Sequence, residues 1–319
     1  MIDERIVADL VPGEVPRRWY EDFERRPPWS REPFVEPFPA AAWASALRSA
    51  LADRAREDGE LGRLLEDTAL VGTGIFHVLS RDQGDGDLPE IDGYRFGVVL
   101  FDNGPLRPYP LHLPPVAVDG VVFPVVRFRM ERVPHDHDHD GRIAAYLNEG
   151  SALCGITAGH VVDRFRAGSR VPVGCSHGHP ARLVRPGPGY IDAALVELEC
   201  SRTTMRQRPV RHVGTGEVAL LHLQDGDPLP TTVMMGIDSV PRLLSAAVPQ
   251  NFLTSGHGRP GQSGSLVSTP ADELCGIYLG KHNAADERGV WAPYGHALDL
   301  RQAATLLGAD PDTLGALDG

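Results

Sequence analysis

Gly261-Gln262-Ser263-Gly264-Ser265-Leu266 sets a serine between two glycines in a turn-like run, and an apolar strand-like run follows from Leu274. A serine hydroxyl is a weak nucleophile at neutral pH and needs an adjacent base. Gly261 lets the backbone adopt conformations that a side chain forbids, so its N–H can turn inward beside that of Ser263. Two such amides make an oxyanion hole, aimed where charge develops in a tetrahedral intermediate. By itself the segment reads as a Gly/Ser-rich turn, and the decision rests on what lies upstream.

Upstream, Gly155-Ile156-Thr157-Ala158-Gly159-His160 ends in an imidazole, which titrates near neutrality and can take and return a proton. The small residues Thr157, Ala158 and Gly159 fit a strand end that leaves His160 at its mouth. Alone, His160 reads as a core histidine on a strand. Between the two segments lies Asp192-Ala193-Ala194-Leu195-Val196-Glu197-Leu198. Its alternation suits a half-buried strand with the acid at its entrance. A carboxylate there would accept from the histidine ring and hold its tautomer; alone, it reads as a strand cap.

In the order His, Asp, Ser, these segments resemble the motifs of the chymotrypsin-like (trypsin-like) serine peptidases, in a lean bacterial form, from about Val116 to the C-terminus. The resemblance implies a mostly β fold: two six-stranded Greek-key β-barrels, a small N-terminal α+β accessory region and a C-terminal helix. It implies a triad of His160, Asp192 and Ser263, with the Gly261 and Ser263 amides as the oxyanion hole. A substrate pocket is expected near His257 and Gly280, walled by Ile277-Tyr278-Leu279-Gly280. No acid stands at the place of His257, so strong Arg/Lys preference is not expected, and acidic or small side chains are. Zymogen-type members carry Asp where this chain has Gln262, and Arg142-Ile143-Ala144 lacks the glycines of an activation point. No activation by N-terminal insertion is expected, and no metal or organic cofactor is called for.

The chain has 319 residues, 42% of them apolar, which suffices for a peptidase domain plus a small extra one. A net charge of −12 argues against nucleic acid or an anionic membrane as partner. Met1-Ile2-Asp3-Glu4-Arg5 has no basic start or apolar run of signal-peptide length. Four cysteines (Cys154, Cys175, Cys200, Cys275) miss the family's usual disulfide positions, and Val161 stands where secreted relatives carry a cysteine. Reduced thiols in a cytoplasmic protein is the expectation.

Three regions are expected. Residues 1–39, Pro-punctuated with Trp19, Tyr20, Trp29 and Phe34, form an extended arm. Residues 40–115 form the accessory α+β region, beginning with a helix from Ala40 to about Leu65 that Gly59 and Gly62 weaken or split. Strand-like runs follow at Leu70 to Leu79 and Tyr94 to Phe101, closed by the turn Asp102-Asn103-Gly104. Residues 116–319 form the peptidase domain, opening on a hairpin about Asp119-Gly120. Its last segment is a strand and then a helix with Asp299 as N-cap. The His135–Asp140 run and the looser Cys175, His177, His179 group match no fixed zinc spacing, and the first reads as a solvated surface loop.

The function these features point to is a serine endopeptidase acting on protein or peptide through an acyl-enzyme, with residues 1–115 the candidate surface for a regulatory partner. The alternative is a catalytically silent or partner-gated binding module of the same fold. Esterase activity is a third reading.

Overall fold

The computed structural model describes residues 40–66, 68–77, 94–102, 113, 115–118, 121–132, 141–174, 178–200, 204–223, 226–285 and 291–317. The arm 1–39, the Asp119-Gly120 turn, Asn103-Gly104, the His135–Asp140 run, Cys175 and His177 lie outside them.

Trp43, Leu47 and Leu51 recur at four-residue spacing and form one face of helix α1 (Ala40–Glu57). The helix stops at Asp58, whose carboxylate accepts the Leu61 N–H at 3.3 Å and starts α2 (Gly59–Glu66). The expected helix is therefore two. Leu47, Leu51, Leu61 and Leu65 are buried with Phe96, Phe101, Phe123 and Phe128. Each such side chain contributes about 1.5–3 kcal/mol on removal from water.

Twenty strands follow in the described residues. The first five are β1 (Leu70–His77), β2 (Tyr94–Asp102), the hairpin β3 (Val116–Val118) and β4 (Val121–Phe123), and β5 (Val125–Arg132). Next come β6 (Gly141–Arg142), β7 (Ala145–Glu149), β8 (Ala152–Thr157), β9 (Arg170–Val171), β10 (Val173–Gly174), β11 (Ala181–Pro186), β12 (Ala194–Leu198) and β13 (Met205–Gln207). Then β14 (Val218–Leu221), β15 (Leu229–Asp238), helix α3 (Val240–Ser245), β16 (Asn251–Thr254), β17 (Leu266–Ser268), β18 (Leu274–Ala285) and β19 (Trp291–Asp299) complete the larger sheet. Helix α4 (Leu300–Leu306) and β20 (Gly315–Leu317) close the chain.

Strands β14, β15, β16, β19, β18 and β17 pair in a closed ring of six. This is the barrel expected of the C-terminal half. The N-terminal half differs from the expected second six-stranded barrel. It is a seven-stranded sheet in the order β13-β20-β7-β8-β12-β11-β9, beginning in the chain at Ala145 and borrowing β20 from the chain's end.

The boundary expected at 115/116 cuts across one hydrogen-bonded sheet. Strand β1 pairs with β15 through Val71↔Asp238 to Gly74↔Met235, and β5 pairs with β18 through His282↔Arg132 to Ala285↔Arg129. The physical reason is strand length. At 10 and 12 residues, β15 and β18 run past the six-stranded ring, and their free edges would otherwise be left unpaired. Strands β1, β2 and β5 bridge those two edges, and α1 covers them. No helix among the described residues is long and apolar enough to cross a membrane.

Candidate active site

Strand register brings the first two residues together. Strand β12 pairs with β8 through Ala194↔Thr157, so the residues just before one strand meet those just after the other. Ala158 is fully buried and Gly159 opens a single 3-10 turn carrying His160. A Cβ on Gly159 would lie 2.9 Å from the Ala193 nitrogen and 3.1 Å from Asp192 Oδ1, so only glycine permits this approach. The His160 main-chain N–H donates to Asp192 Oδ1 at 2.7 Å, and Nδ1 lies 2.9 Å from Oδ2. A carboxylate only accepts, so Nδ1 is the donor, and in the neutral tautomer that this bond selects the lone pair is on Nε2. The His160 side chain is 12% exposed, which keeps this pair largely from water.

Ser263 comes from the other half of the molecule. Its turn is held from both sides: the Arg142 N–H donates to Ser263 O at 2.7 Å, and the Gly264 N–H donates to Tyr278 O at 2.7 Å. The Thr157 hydroxyl donates to Arg142 O at 2.6 Å, tying β8 to the same point. Gly261 and Gly264 have φ of 84° and 91°, the left-handed region that favours glycine. Neither the Gly261 nor the Ser263 amide donates to a backbone carbonyl among the described residues.

Ser263 is 5% exposed and its hydroxyl donates to Leu279 O at 3.2 Å. No hydrogen bond joins this hydroxyl to His160 Nε2 in this arrangement. Of the residues expected to form the pocket, His257 is half-buried with Nδ1 3.3 Å from Gly258 O, and Gly280, at φ 136°, sits where β18 slips register against β19. Tyr278 is 1% exposed, packs in the interior of the ring with Phe252 and Val267, and its hydroxyl accepts the Gly258 N–H at 2.8 Å.

Several neighbours escaped the sequence. Tyr278 and Leu279 were expected only as pocket wall, not as backbone partners of the Ser263 turn, and Arg142 read only as a rejected cleavage point. A cavity of about 200 Å³ beyond Asp192 is lined by Leu279, Gln250, Asn251, His282 and His296. His296 Nδ1 lies 3.0 Å from His282 Nε2, and His296 Nε2 lies 3.2 Å from Asn251 Oδ1. No short-range pattern links residues 45 positions apart, so only folding reveals this chain of polar groups. Among the described residues no group of three or more His, Cys, Asp or Glu could hold a metal ion. Cys154, Cys200 and Cys275 are free thiols; burial pushes Cys154 up to about 11 and Cys275 up to about 12.

No family model and no curated protein matches the chain. In fold it is similar to bacterial chymotrypsin-fold serine proteases at low identity. Thermobifida fusca Protease A is 16% identical, with a TM-score of 0.38 over 56% of this chain and 91% of that one. Nocardiopsis protease is 15% identical, with 0.37 over 55% and 90%. A glutamic acid specific serine protease, described as using a histidine triad in substrate binding, is 15% identical, with 0.37 over 55% and 91%.

Proposed function

We propose that this chain is a serine endopeptidase. The observation that carries the reading is the His160–Asp192 pair. Asp192 holds both the ring Nδ1 and the main-chain N–H of His160, which commits Nε2 to act as base. In the proposed reaction Ser263 Oγ attacks a peptide carbonyl and gives its proton to Nε2. The Gly261 and Ser263 amides hold the oxyanion that forms. His160 then protonates the leaving amine, and water repeats the cycle on the acyl-enzyme. Asp192 steadies the imidazolium throughout.

For this to begin, the Ser263 hydroxyl must exchange Leu279 O for His160 Nε2 as acceptor. That requirement favours the second reading, a partner-gated module, in which binding of peptide or of a regulator at residues 1–115 drives the exchange. A cytoplasmic location belongs to the same proposal and draws support from the free thiols.

The experiment is labelling by a fluorophosphonate. Wild type should react at Ser263, Ser263→Ala should not react, and His160→Ala should react about 100-fold more slowly or less. Equal labelling of wild type and His160→Ala would remove the base from the mechanism. Labelling of wild type only after a protein partner is added would establish the gated reading.

A further inference from the structure

The residue whose carbonyl is attacked carries its side chain two bonds from the reacting carbon. That side chain must therefore lie against the surfaces flanking Ser263 Oγ and the oxyanion amides. Here those surfaces are the 256–262 segment and the facing stretches of β18 and β19, and they are closed on one another.

Tyr278 fills the gap. Its N–H donates to Ser265 O at 2.8 Å and its carbonyl accepts from Gly264, so its position is tied to the nucleophile turn. Its hydroxyl accepts the Gly258 N–H at 2.8 Å. A Cβ on Gly258 would already lie 3.1 Å from Cε1 of the ring and 3.2 Å from Gln262 Cβ. One strand over, a Cβ on Gly295 would fall on the Gly256 carbonyl oxygen, which also accepts from the Thr254 hydroxyl at 2.8 Å. The two walls meet backbone to backbone, and against Gly258 lie the Tyr278 ring and the Leu223 side chain, whose Cδ2 is 3.2 Å from the same Cβ position. Burial pushes the Tyr278 hydroxyl up, so it stays protonated and neutral through the working range.

We propose that Tyr278 is the specificity-determining residue of this site, and that the site takes an acyl residue with no side chain or a methyl: glycine or alanine. Acidic, basic and large apolar side chains are excluded by the ring. This rests on the hydrolase reading above and narrows it, because half-buried His257 lies outside an open pocket and has no acidic side chain to recognise.

The test uses the full chain and two peptidyl diphenylphosphonates, one ending in alanine and one in phenylalanine. Wild type should be labelled about 100-fold faster by the alanine probe. Tyr278→Ala should cut that ratio about tenfold or more, whereas Tyr278→Phe, which keeps the ring and drops the hydroxyl, should preserve it. Comparable labelling of wild type by both probes overturns the proposal, as does an unchanged ratio in Tyr278→Ala. A second measurement is independent of turnover: p-cresol should raise the Tm of Tyr278→Ala and leave that of wild type unmoved. No labelling by either probe, with p-cresol still stabilising Tyr278→Ala, sinks the hydrolase reading and retains the closed pocket. A folded Tyr278→Ala that ignores p-cresol overturns the closed pocket. Should Tyr278→Ala not fold, Tyr278→Leu carries the same two readouts.

Discussion

Gly264 shows how little latitude a single position in this site has. Its φ of 91° is open to glycine, and a Cβ there would meet the Arg142 carbonyl oxygen and lie 2.6 Å from Thr157 Oγ1. Both neighbours are bonded to one another, so neither can retreat cheaply. Gly264→Ala should therefore push the Ser263 turn away from β6 and β8, abolishing fluorophosphonate labelling while most of the fold survives. The check is labelling alongside the near-ultraviolet spectrum; full labelling of Gly264→Ala would show that the Arg142 contact does not position Ser263. Gly159 obeys the same logic across the His160–Asp192 approach, where backbone proximity leaves no room for a methyl. These restrictions come from backbone meeting backbone, which tolerates less adjustment than a side-chain contact.

At the scale of elements, α4 illustrates how one carboxylate can serve two purposes. Asp299 ends β19 and caps the helix, its Oδ1 accepting the Gln302 N–H at 2.9 Å. Its Oδ2 lies 2.6 Å from His212 Nδ1. The hydrogen bond to Asp299 raises the His212 pKa, against desolvation and the nearby Arg301 guanidinium. A group whose folded pKa is raised stabilises fully below its unfolded value, near 6.5, and loses that contribution as pH rises through the folded value. Stability should thus fall as pH rises above about 6.5 through His212, and His212→Asn should flatten this slope. His77 acts in the opposite direction. Burial lowers it to about 4, so its penalty grows as pH falls from about 6.5 toward 4. Denaturant melts at pH 5, 6 and 8 separate the two groups; an unchanged slope between pH 6 and 8 in His212→Asn would count against the Asp299 pair.

At the scale of the molecule, the N-terminal region is stitched into the ring. Arg48 of α1 reaches Asp238, the last residue of β15, at 2.7 Å, with side chains 4% and 0% exposed. Arg48 also donates to Ala246 O at 3.0 Å, while Asp238 accepts from Arg242 at 3.1 Å and the Gln250 N–H at 3.0 Å. Removing one partner of such a buried pair typically costs about 3–5 kcal/mol, because the other charge stays in the interior. Arg48→Ala should lose that much in denaturant unfolding, in one transition shared by both sheets. A second, separate transition would instead mark residues 40–115 as an independent unit.

His160, Asp192 and Ser263 could be singled out because each sits in a short segment whose residue types follow from local demands: small residues where backbones cross, glycines where φ is positive, alternation where a strand is half-buried. The α1/α2 break, the Asp299 cap and the ring strands β18 and β19 were legible for the same reason, since propensity and period act over a few residues. What lay beyond the sequence depends on partners far along the chain. The open N-terminal sheet completed by Gly315–Leu317, the joining of β1 and β5 to the long strands β15 and β18, and the polar chain from His282 to Asn251 are such cases. The Tyr278 ring is the sharpest example. Sequence placed it on a strand beside the Ser263 turn, but only the packing of β18 against 256–262 set where the ring lies. Local chemistry sets which residues can react; the space around them is a property of the packed whole.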